Sequence, residues 1–230
     1  MNTEHLDLLL KDKEAVLFDI DGTLIDSMGI WDEVDRIYLA RYNIPVPEHL
    51  PETLSGLSIA QTAAYFREVL GVQETNEKMI SDWNELAFEQ YNRHILPKAD
   101  ALKFVQEIHD RHIPMAVGTS NTRALAETVM RRLGFAGYLS YMLTGEDIQF
   151  GKPDPFIYLE AARCVGARPE NCIVFEDIPE GLTAGKRAGM KTCAVWDHFS
   201  SSKDDEKRKI ADYYIHSFTD IFENRVEILR

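Results

Sequence analysis

Residues 15–24 read AVLFDIDGTL, a short apolar run that ends in two aspartates, Asp19 and Asp21, and a Gly-Thr turn. An apolar run of this length without polar alternation is typical of a strand that is buried on both faces of a parallel sheet. A turn alone could use the second aspartate, as Asp-Gly turns often do, but it does not need the first. Because two like charges this close are costly unless a cation or a shared proton neutralises them, the motif predicts a functional site at the carboxyl end of a buried strand.

Similar apolar runs recur along the chain and alternate with helical patterns. The further predicted strands cover 115–117, 141–143, 173–175 and 192–195, and the helical patterns lie near 99–111, 122–134, 154–165 and 180–188. Alternation of strand and helix favours an α/β fold with a doubly wound parallel sheet, a Rossmann-like core. In such a core we expect the active-site residues at the carboxyl ends of the strands.

The segment 27–96 interrupts this alternation. It contains no convincing strand, but its apolar residues recur at helical spacing, and 70 residues is far longer than an ordinary strand-to-helix connection. We therefore predict an inserted α-helical cap domain at 27–96, and an α/β catalytic core made of 1–26 and 97–230. Within the core, the polar run from Ser200 to Asp205 is expected to be a surface loop.

Composition excludes several classes of partner. The chain has 230 residues and a formal net charge of −13, which would repel nucleic acid and anionic lipid. No run approaches the ~20 apolar residues that cross a bilayer, and the leucine run at 8–10 is too short for a signal peptide, so a cytoplasmic protein is expected. The cysteines Cys164, Cys172 and Cys193 lack metal-ligand spacing and are expected to be buried. A monomer or a weak homodimer is expected.

Polar groups follow two later strands and one loop. The turn at 118–121 offers the hydroxyl of Thr119 and backbone N–H groups at a helix start, an anion site to which Ser120 and Asn121 would contribute as substrate-binding residues. An N-cap without any ligand would use the same residue types. Lys152 stands between a glycine and a proline ahead of another helix, which restricts its backbone.

The strand at 173–175 ends in a second acidic pair, Glu176 and Asp177. Acidic pairs at two strand ends supply the hard oxygen ligands that Mg²⁺ prefers. A threonine and a lysine could then cover the remaining oxygens of a phosphate group. The order and combination of these motifs, and no single one of them, predicts a magnesium-dependent phosphoryl-transfer site.

With these motifs in order, the chain resembles the haloacid dehalogenase superfamily, in the branch with a helical cap and close to the β-phosphoglucomutase-like and sugar-phosphate phosphatase group. The resemblance implies that Asp19 is the nucleophile and Asp21 the general acid/base. It also implies that Thr119 and Lys152 hold the phosphoryl group.

The same resemblance implies a Mg²⁺ site made by Asp19, Asp21, Glu176 and Asp177, with Asp177 the surer direct ligand and Asp21 contributing its backbone carbonyl. Because Asp21 can protonate an alkoxide leaving group, phosphate ester chemistry through an aspartyl-phosphate intermediate is expected.

The expected function is hydrolysis of a small phosphorylated metabolite, such as a sugar phosphate. A β-phosphoglucomutase-like phosphohexomutase and a non-catalytic interaction protein on the same fold are the alternatives. The mutase of this family has a histidine where this chain has Trp31 and an arginine where it has Ile59. Trp31 could equally be a core residue of the cap or a substrate contact.

Overall fold

The computed structural model of the protein describes residues 4–54 and 59–230. The β-strands are β1 Ala15–Phe18, β2 Ile25–Asp26, β3 Leu96–Pro97, β4 Met115–Gly118, β5 Tyr141–Leu143, β6 Cys172–Glu176, β7 Lys191–Val195, β8 Tyr213–Ile215 and β9 Glu227–Ile228. The α-helices are α1 Glu4–Leu10, α2 Gly29–Arg41, α3 Leu50–Leu54, α4 Ile59–Glu68, α5 Asn76–Arg93, α6 Ala101–Asp110, α7 Arg123–Arg132, α8 Phe156–Cys164, α9 Pro179–Arg187, α10 Asp204–Ile210 and α11 Thr219–Phe222.

The central sheet has the strand order β5-β4-β1-β6-β7-β8-β9. The pairs from β5 through to β8 are parallel, and β9 joins the edge antiparallel to β8. Order along the chain differs from order in the sheet, so helices connect the strands across both faces. The predicted doubly wound α/β core is confirmed.

Strand β1 is buried on both faces, which explains its uninterrupted apolar sequence. Leu17 belongs to the same buried cluster as Ile157 and Tyr158 of α8. The next residue, Phe18, points to the opposite layer, where its ring centroid lies 6.2 Å from that of Phe104 on α6. This alternation along a strand, together with helices on each side, fixes the end of β1 between the ends of its neighbours β4 and β6.

The chain forms two compact units, Met1–Ser27 with Ile95–Arg230, and Met28–His94. The second unit consists of α2 to α5 around an aromatic cluster in which the Phe66 and Trp83 rings are 4.9 Å apart. Trp31 on α2 is only partly buried, and Ile59 at the start of α4 is 46% exposed. Residues 55–58, which directly precede Ile59 and include Ser55 and Ser58, lie outside the described residues.

Two expectations from the sequence need correction, and four short strands were missed. The run from Ser200 to Asp205 lies at the surface, as Ser201, Ser202 and Asp205 are exposed, but it is not an irregular loop. Ser200 is buried, a 3₁₀ turn covers Ser201–Lys203, and α10 begins at Asp204. Cys164 is partly exposed, whereas Cys172 and Cys193 are buried as expected. The short strands β2, β3, β8 and β9 were not predicted from the sequence, because two or three residues give no measurable periodicity.

Within residues 4–54 and 59–230, no helix is both long enough and apolar enough to pass through a lipid bilayer.

Candidate active site

The carboxyl ends of three adjacent strands bring the predicted motifs together. Asp19 follows β1, Thr119 follows β4, and Glu176 and Asp177 lie at the end of β6. Because β4, β1 and β6 are parallel neighbours, their ends meet at one edge of the sheet. All four of these side chains belong to residues that are buried.

Lys152 joins two of the strand ends. Its ammonium nitrogen lies 2.5 Å from Asp19 Oδ1 and 2.5 Å from Glu176 Oε1, and only 4% of its side chain is exposed. Lys152 comes from the segment that precedes α8, which is 133 residues from Asp19 in the chain. The restriction that Pro153 imposes on the neighbouring backbone suits a side chain that has to be held at one point.

Both carboxylate oxygens of Glu176 have partners. Its Oε1 accepts a hydrogen bond of 2.7 Å from the Tyr158 hydroxyl, and its Oε2 accepts bonds from the backbone N–H groups of Asp177 and Ile178. A Cβ atom on Gly181 would lie 1.8 Å from Oε1, so α9 must carry glycine there. The structure therefore places Glu176 as the anchor of Lys152.

Tyr158 is a site residue that sequence reasoning missed. It is fully buried on α8, and the ammonium of Lys152 lies 5.3 Å from the centre of its ring. In the sequence it stands among the apolar residues of an amphipathic helix, and a core position is the ordinary interpretation of a tyrosine there. Its position six residues after Lys152 is the only local signal that it faces the same strand ends.

One carboxylate oxygen of Asp177 has no hydrogen-bond partner among the described residues. Its Oδ1 accepts a bond of 3.2 Å from the Thr23 hydroxyl, whereas its Oδ2 is buried and has no hydrogen-bond partner among the described residues. A Cβ on Gly22 would lie 2.4 Å from Oδ2, and Gly22 has a φ of +79°, a conformation that favours glycine. The glycine thus permits the close approach of the carboxylate to the first motif.

A metal ion would fit this arrangement. Asp19, Glu176 and Asp177 each offer a carboxylate oxygen within 4.8 Å of the others. Three carboxylates around the single ammonium of Lys152 leave a surplus of two negative charges when all are ionised. Hard oxygen donors with this surplus, and the unpartnered oxygen of Asp177, are what a divalent cation such as Mg²⁺ requires.

Asp21 is held on both oxygens by residues of the same unit. Ser27 donates a 2.6 Å bond to Oδ1, and the side-chain amide of Asn121 donates a 3.1 Å bond to Oδ2. The backbone N–H of Asn121 in turn donates to the Thr119 hydroxyl at 3.1 Å. The turn after β4 is therefore connected to the first motif, and Ser120 is the exposed residue of that turn.

Burial dominates the electrostatics of the site. It raises the pKa of Asp19 well above the usual value, although the charge of Lys152 opposes this shift. Burial also raises the pKa of Asp177, and the charges of Glu176 and Asp19 raise it further. Burial alone would lower the pKa of Lys152, but the carboxylates of Asp19 and Glu176 outweigh it, so the pKa of the ammonium is raised. The site therefore holds a permanent cation among carboxylates that are costly to ionise.

Comparison with known proteins supports the family resemblance that the sequence motifs indicate. The sequence model of the haloacid dehalogenase-like hydrolase family matches residues 16–195. A phosphorylated carbohydrates phosphatase of Thermotoga maritima is 30% identical over 181 residues, which cover 77% of this chain and 82% of that protein. A fructose-1-phosphate phosphatase of Escherichia coli is 28% identical over 186 residues, 79% of this chain and 95% of that protein.

Solved structures share the fold. A Thermotoga maritima protein assigned as a candidate β-phosphoglucomutase superposes with a TM-score of 0.79 at 25% identity, over 92% of this chain and 97% of that one. The protein CbbY of Rhodobacter sphaeroides in complex with xylulose-(1,5)bisphosphate also has a TM-score of 0.79, at 22% identity, over 90% of this chain and 95% of that one. These matches agree with the resemblance drawn from the four motifs.

Proposed function

Because this chain belongs to the haloacid dehalogenase-like hydrolase family, we propose that it is a magnesium-dependent phosphatase that hydrolyses a small phosphorylated metabolite through an aspartyl-phosphate intermediate. The predicted family and the predicted enzyme class, a phosphatase, are confirmed by the family match and by the named relatives. The metal, the covalent intermediate, the roles of individual residues and the substrate are proposed here on the basis of the site.

One observation carries the proposal. Asp19 is buried at the end of β1 with Lys152 bonded to one carboxylate oxygen. The same lysine also pairs with Glu176, and Asp177 completes the cluster of three carboxylates. A structural role would not require this concentration of charge, which is expensive to bury. A nucleophile and a cation that receives a phosphoryl group do require it.

Asp19 would act as the nucleophile towards phosphorus. Since the Lys152 ammonium lies 2.5 Å from Asp19, its charge is next to any phosphorus atom that this carboxylate attacks. The hydroxyl of Thr119 and the backbone N–H groups of the turn after β4 would bind other phosphoryl oxygens. A Mg²⁺ ion held by Asp19, Asp177 and the backbone carbonyl of Asp21 would supply further neutralisation of the transferring group's charge.

Asp21 would move the protons. The bonds from Ser27 and Asn121 fix its carboxyl group beside the nucleophile, so it can protonate the leaving oxygen in the first step. In the second step the same group would take a proton from the water that hydrolyses the acyl phosphate. Ser27 and Asn121 are therefore proposed as residues that orient the acid/base.

A phosphorylated carbohydrate is the proposed substrate class. Relatives that match most of this chain are named for phosphatase activity on phosphorylated carbohydrates and on fructose 1-phosphate. The net charge of −13 would repel such an anion, so its attraction has to come from the local positive charge of the site. We propose the unit Met28–His94 as the cap that selects the substrate. The cytoplasmic location and the oligomeric state stay predictions.

The direct test is release of inorganic phosphate from a panel of phosphorylated sugars and from p-nitrophenyl phosphate, with Mg²⁺ and with a chelator. Asp19→Asn should lower kcat by several orders of magnitude, as removal of a nucleophile does. Asp110→Asn, which changes an exposed aspartate at the end of α6, is the matched control and should keep wild-type activity. An Asp19→Asn protein with more than about a tenth of the wild-type kcat would contradict the covalent mechanism.

The phosphohexomutase is the second candidate, and the likeness to a candidate β-phosphoglucomutase favours it. A mutase has to grip a second phosphate, which requires cationic groups because a buried dianion without partners is very costly. Ile59 stands at the position that would supply one. The alternative cap arginines, Arg36, Arg41 and Arg67, are all exposed, and Arg36 and Arg67 are paired with Glu33 and Glu68.

Incubation with β-glucose 1-phosphate, Mg²⁺ and a trace of glucose 1,6-bisphosphate separates the two reactions. We expect inorganic phosphate to appear without isomerisation. Formation of glucose 6-phosphate faster than inorganic phosphate would replace the phosphatase proposal by the mutase.

A further inference from the structure

Lys207 on α10 is fully buried, with none of its side chain exposed. Its ammonium forms an ion pair of 2.6 Å with Asp204 and donates a 3.1 Å hydrogen bond to the hydroxyl of Ser200. Asp204 is held in turn by a 2.7 Å bond from the Tyr214 hydroxyl. Removing an ammonium from water is expensive, so this arrangement calls for a reason beyond packing.

The hydrogen bonds run from Lys207 to the candidate metal site. The Ser200 hydroxyl donates to the backbone carbonyl of Asp177 at 2.8 Å. A lysine can only donate, a carbonyl can only accept, and a hydroxyl does both. The direction of each hydrogen bond from Lys207 through Ser200 to Asp177 is therefore determined. The Ser200 hydroxyl also lies 3.5 Å from the carbonyl of Asp197, which is a much longer contact.

Asp177 depends on such side-chain bonds because the sheet does not hold it. Strand β6 ends at Glu176, so Asp177 is beyond the ladder. Its N–H donates to the Glu176 carboxylate and its carbonyl accepts from Ser200. Because Oδ1 of Asp177 is bonded to Thr23, the orientation of the Asp177 backbone determines the direction in which Oδ2 points.

We propose that Ser200, supported by Lys207, is a positioning residue that sets the orientation of the Asp177 carboxylate and thereby the affinity of the site for Mg²⁺. The inference rests on the proposed magnesium-dependent function. Both residues lie beyond residues 16–195, the part of the chain that the family model matches.

Ser200→Ala tests the proposal, because it removes one hydroxyl from a buried site and keeps the backbone. Ser201→Ala is the matched control: its hydroxyl donates a 2.6 Å bond to the carbonyl of His198 in the same turn, but it does not contact Asp177. Mg²⁺ binding is measured by titration calorimetry on the substrate-free protein, at a temperature where circular dichroism shows both variants folded.

We expect Ser200→Ala to weaken Mg²⁺ binding about tenfold or more, the scale found when residues behind a metal ligand are removed, and Ser201→Ala to bind as the wild type does. At saturating Mg²⁺ the kcat of Ser200→Ala should recover most of the wild-type value. Such a split between metal affinity and kcat is not expected from a general loss of stability.

Three results would overturn the inference. Wild-type affinity in Ser200→Ala would remove the role of the hydroxyl, and equal weakening in both variants would assign the effect to packing of the turn. A wild-type protein that binds no Mg²⁺ would remove the metal from the proposed function as well, which distinguishes the two failures.

Discussion

Replacing Lys152 by methionine should destabilise the protein, and the loss should grow as the pH rises. The substitution keeps an unbranched chain of similar length and removes the ammonium that lies 2.5 Å from both Asp19 and Glu176. Three carboxylates then remain in a buried cluster without their cation.

The expected size follows from the burial of the pair. Removing one partner of a buried ion pair costs about 3–5 kcal/mol, and each 1 kcal/mol lowers the Tm of a protein of this size by about 2–4 °C. The Tm should therefore fall by about 6–20 °C at pH 8. Arg93→Met, which breaks an exposed pair with Glu89 on α5, is the control and should cost about 0.3–0.5 kcal/mol.

The pH dependence has a definite sign. Burial raises the pKa of Asp19 and Lys152 lowers it, so removing the lysine raises that pKa further. The folded variant then binds protons more tightly than the unfolded chain, and its free energy of unfolding increases as the pH falls. The difference between wild type and variant should narrow from pH 8 to pH 5.

Thermal unfolding followed by circular dichroism at pH 5, 6.5 and 8, without added metal, provides the measurement. Phosphate release should also fall by about 10²–10³-fold, as for the loss of one donor to a developing oxyanion. A Tm difference that stays constant across this range, or a Lys152→Met protein as stable as Arg93→Met, would refute the reasoning.

Gly22→Ala should lower stability by about 1–2 kcal/mol through its left-handed conformation, and should weaken Mg²⁺ binding because the new Cβ would lie 2.4 Å from Asp177 Oδ2; calorimetry showing unchanged Mg²⁺ affinity would contradict this. Asp21→Asn should slow phosphoryl transfer by about 10²–10⁴-fold for alkyl phosphates and by less for p-nitrophenyl phosphate, and single-turnover rates with equal losses would exclude the acid role. Burial and the charge of Asp32 raise the pKa of Asp35 on α2 to about 7, so its ionised form costs stability increasingly from about pH 4 to pH 7. Asp35→Asn should therefore raise the Tm at pH 8 and leave it nearly unchanged at pH 4, and a Tm gain that does not depend on pH would disprove this assignment.

Most of the candidate site could be predicted because its residues stand directly after strands. Asp19, Thr119 and Asp177 each follow an apolar run, and a parallel sheet necessarily brings such positions to one edge. Lys152 was predicted from its rigid Gly-Lys-Pro setting. The residues that hold this site were not predicted in the same way.

Ser200 and Lys207 illustrate the limit. Their segment is rich in serine and charged residues, a composition that indicates a solvated loop. The structure buries both of them because each polar group finds a partner, Lys207 with Asp204 and Ser200 with Asp177. No local sequence pattern predicts those partners, because burial of a charge depends on what the rest of the fold places around it.

By itself, the sequence determined the buried strands, the helical insertion and the order of the acidic, hydroxyl and lysine motifs, because strand periodicity and strand-end positions are local properties. Only the tertiary structure decided that Glu176 anchors Lys152 together with Tyr158, and that Asp177 keeps a buried oxygen without a partner among the described residues. The physical reason is distance along the chain. The contact between Lys152 and Asp19 spans 133 residues, and its geometry exists only after the strands of the sheet have paired.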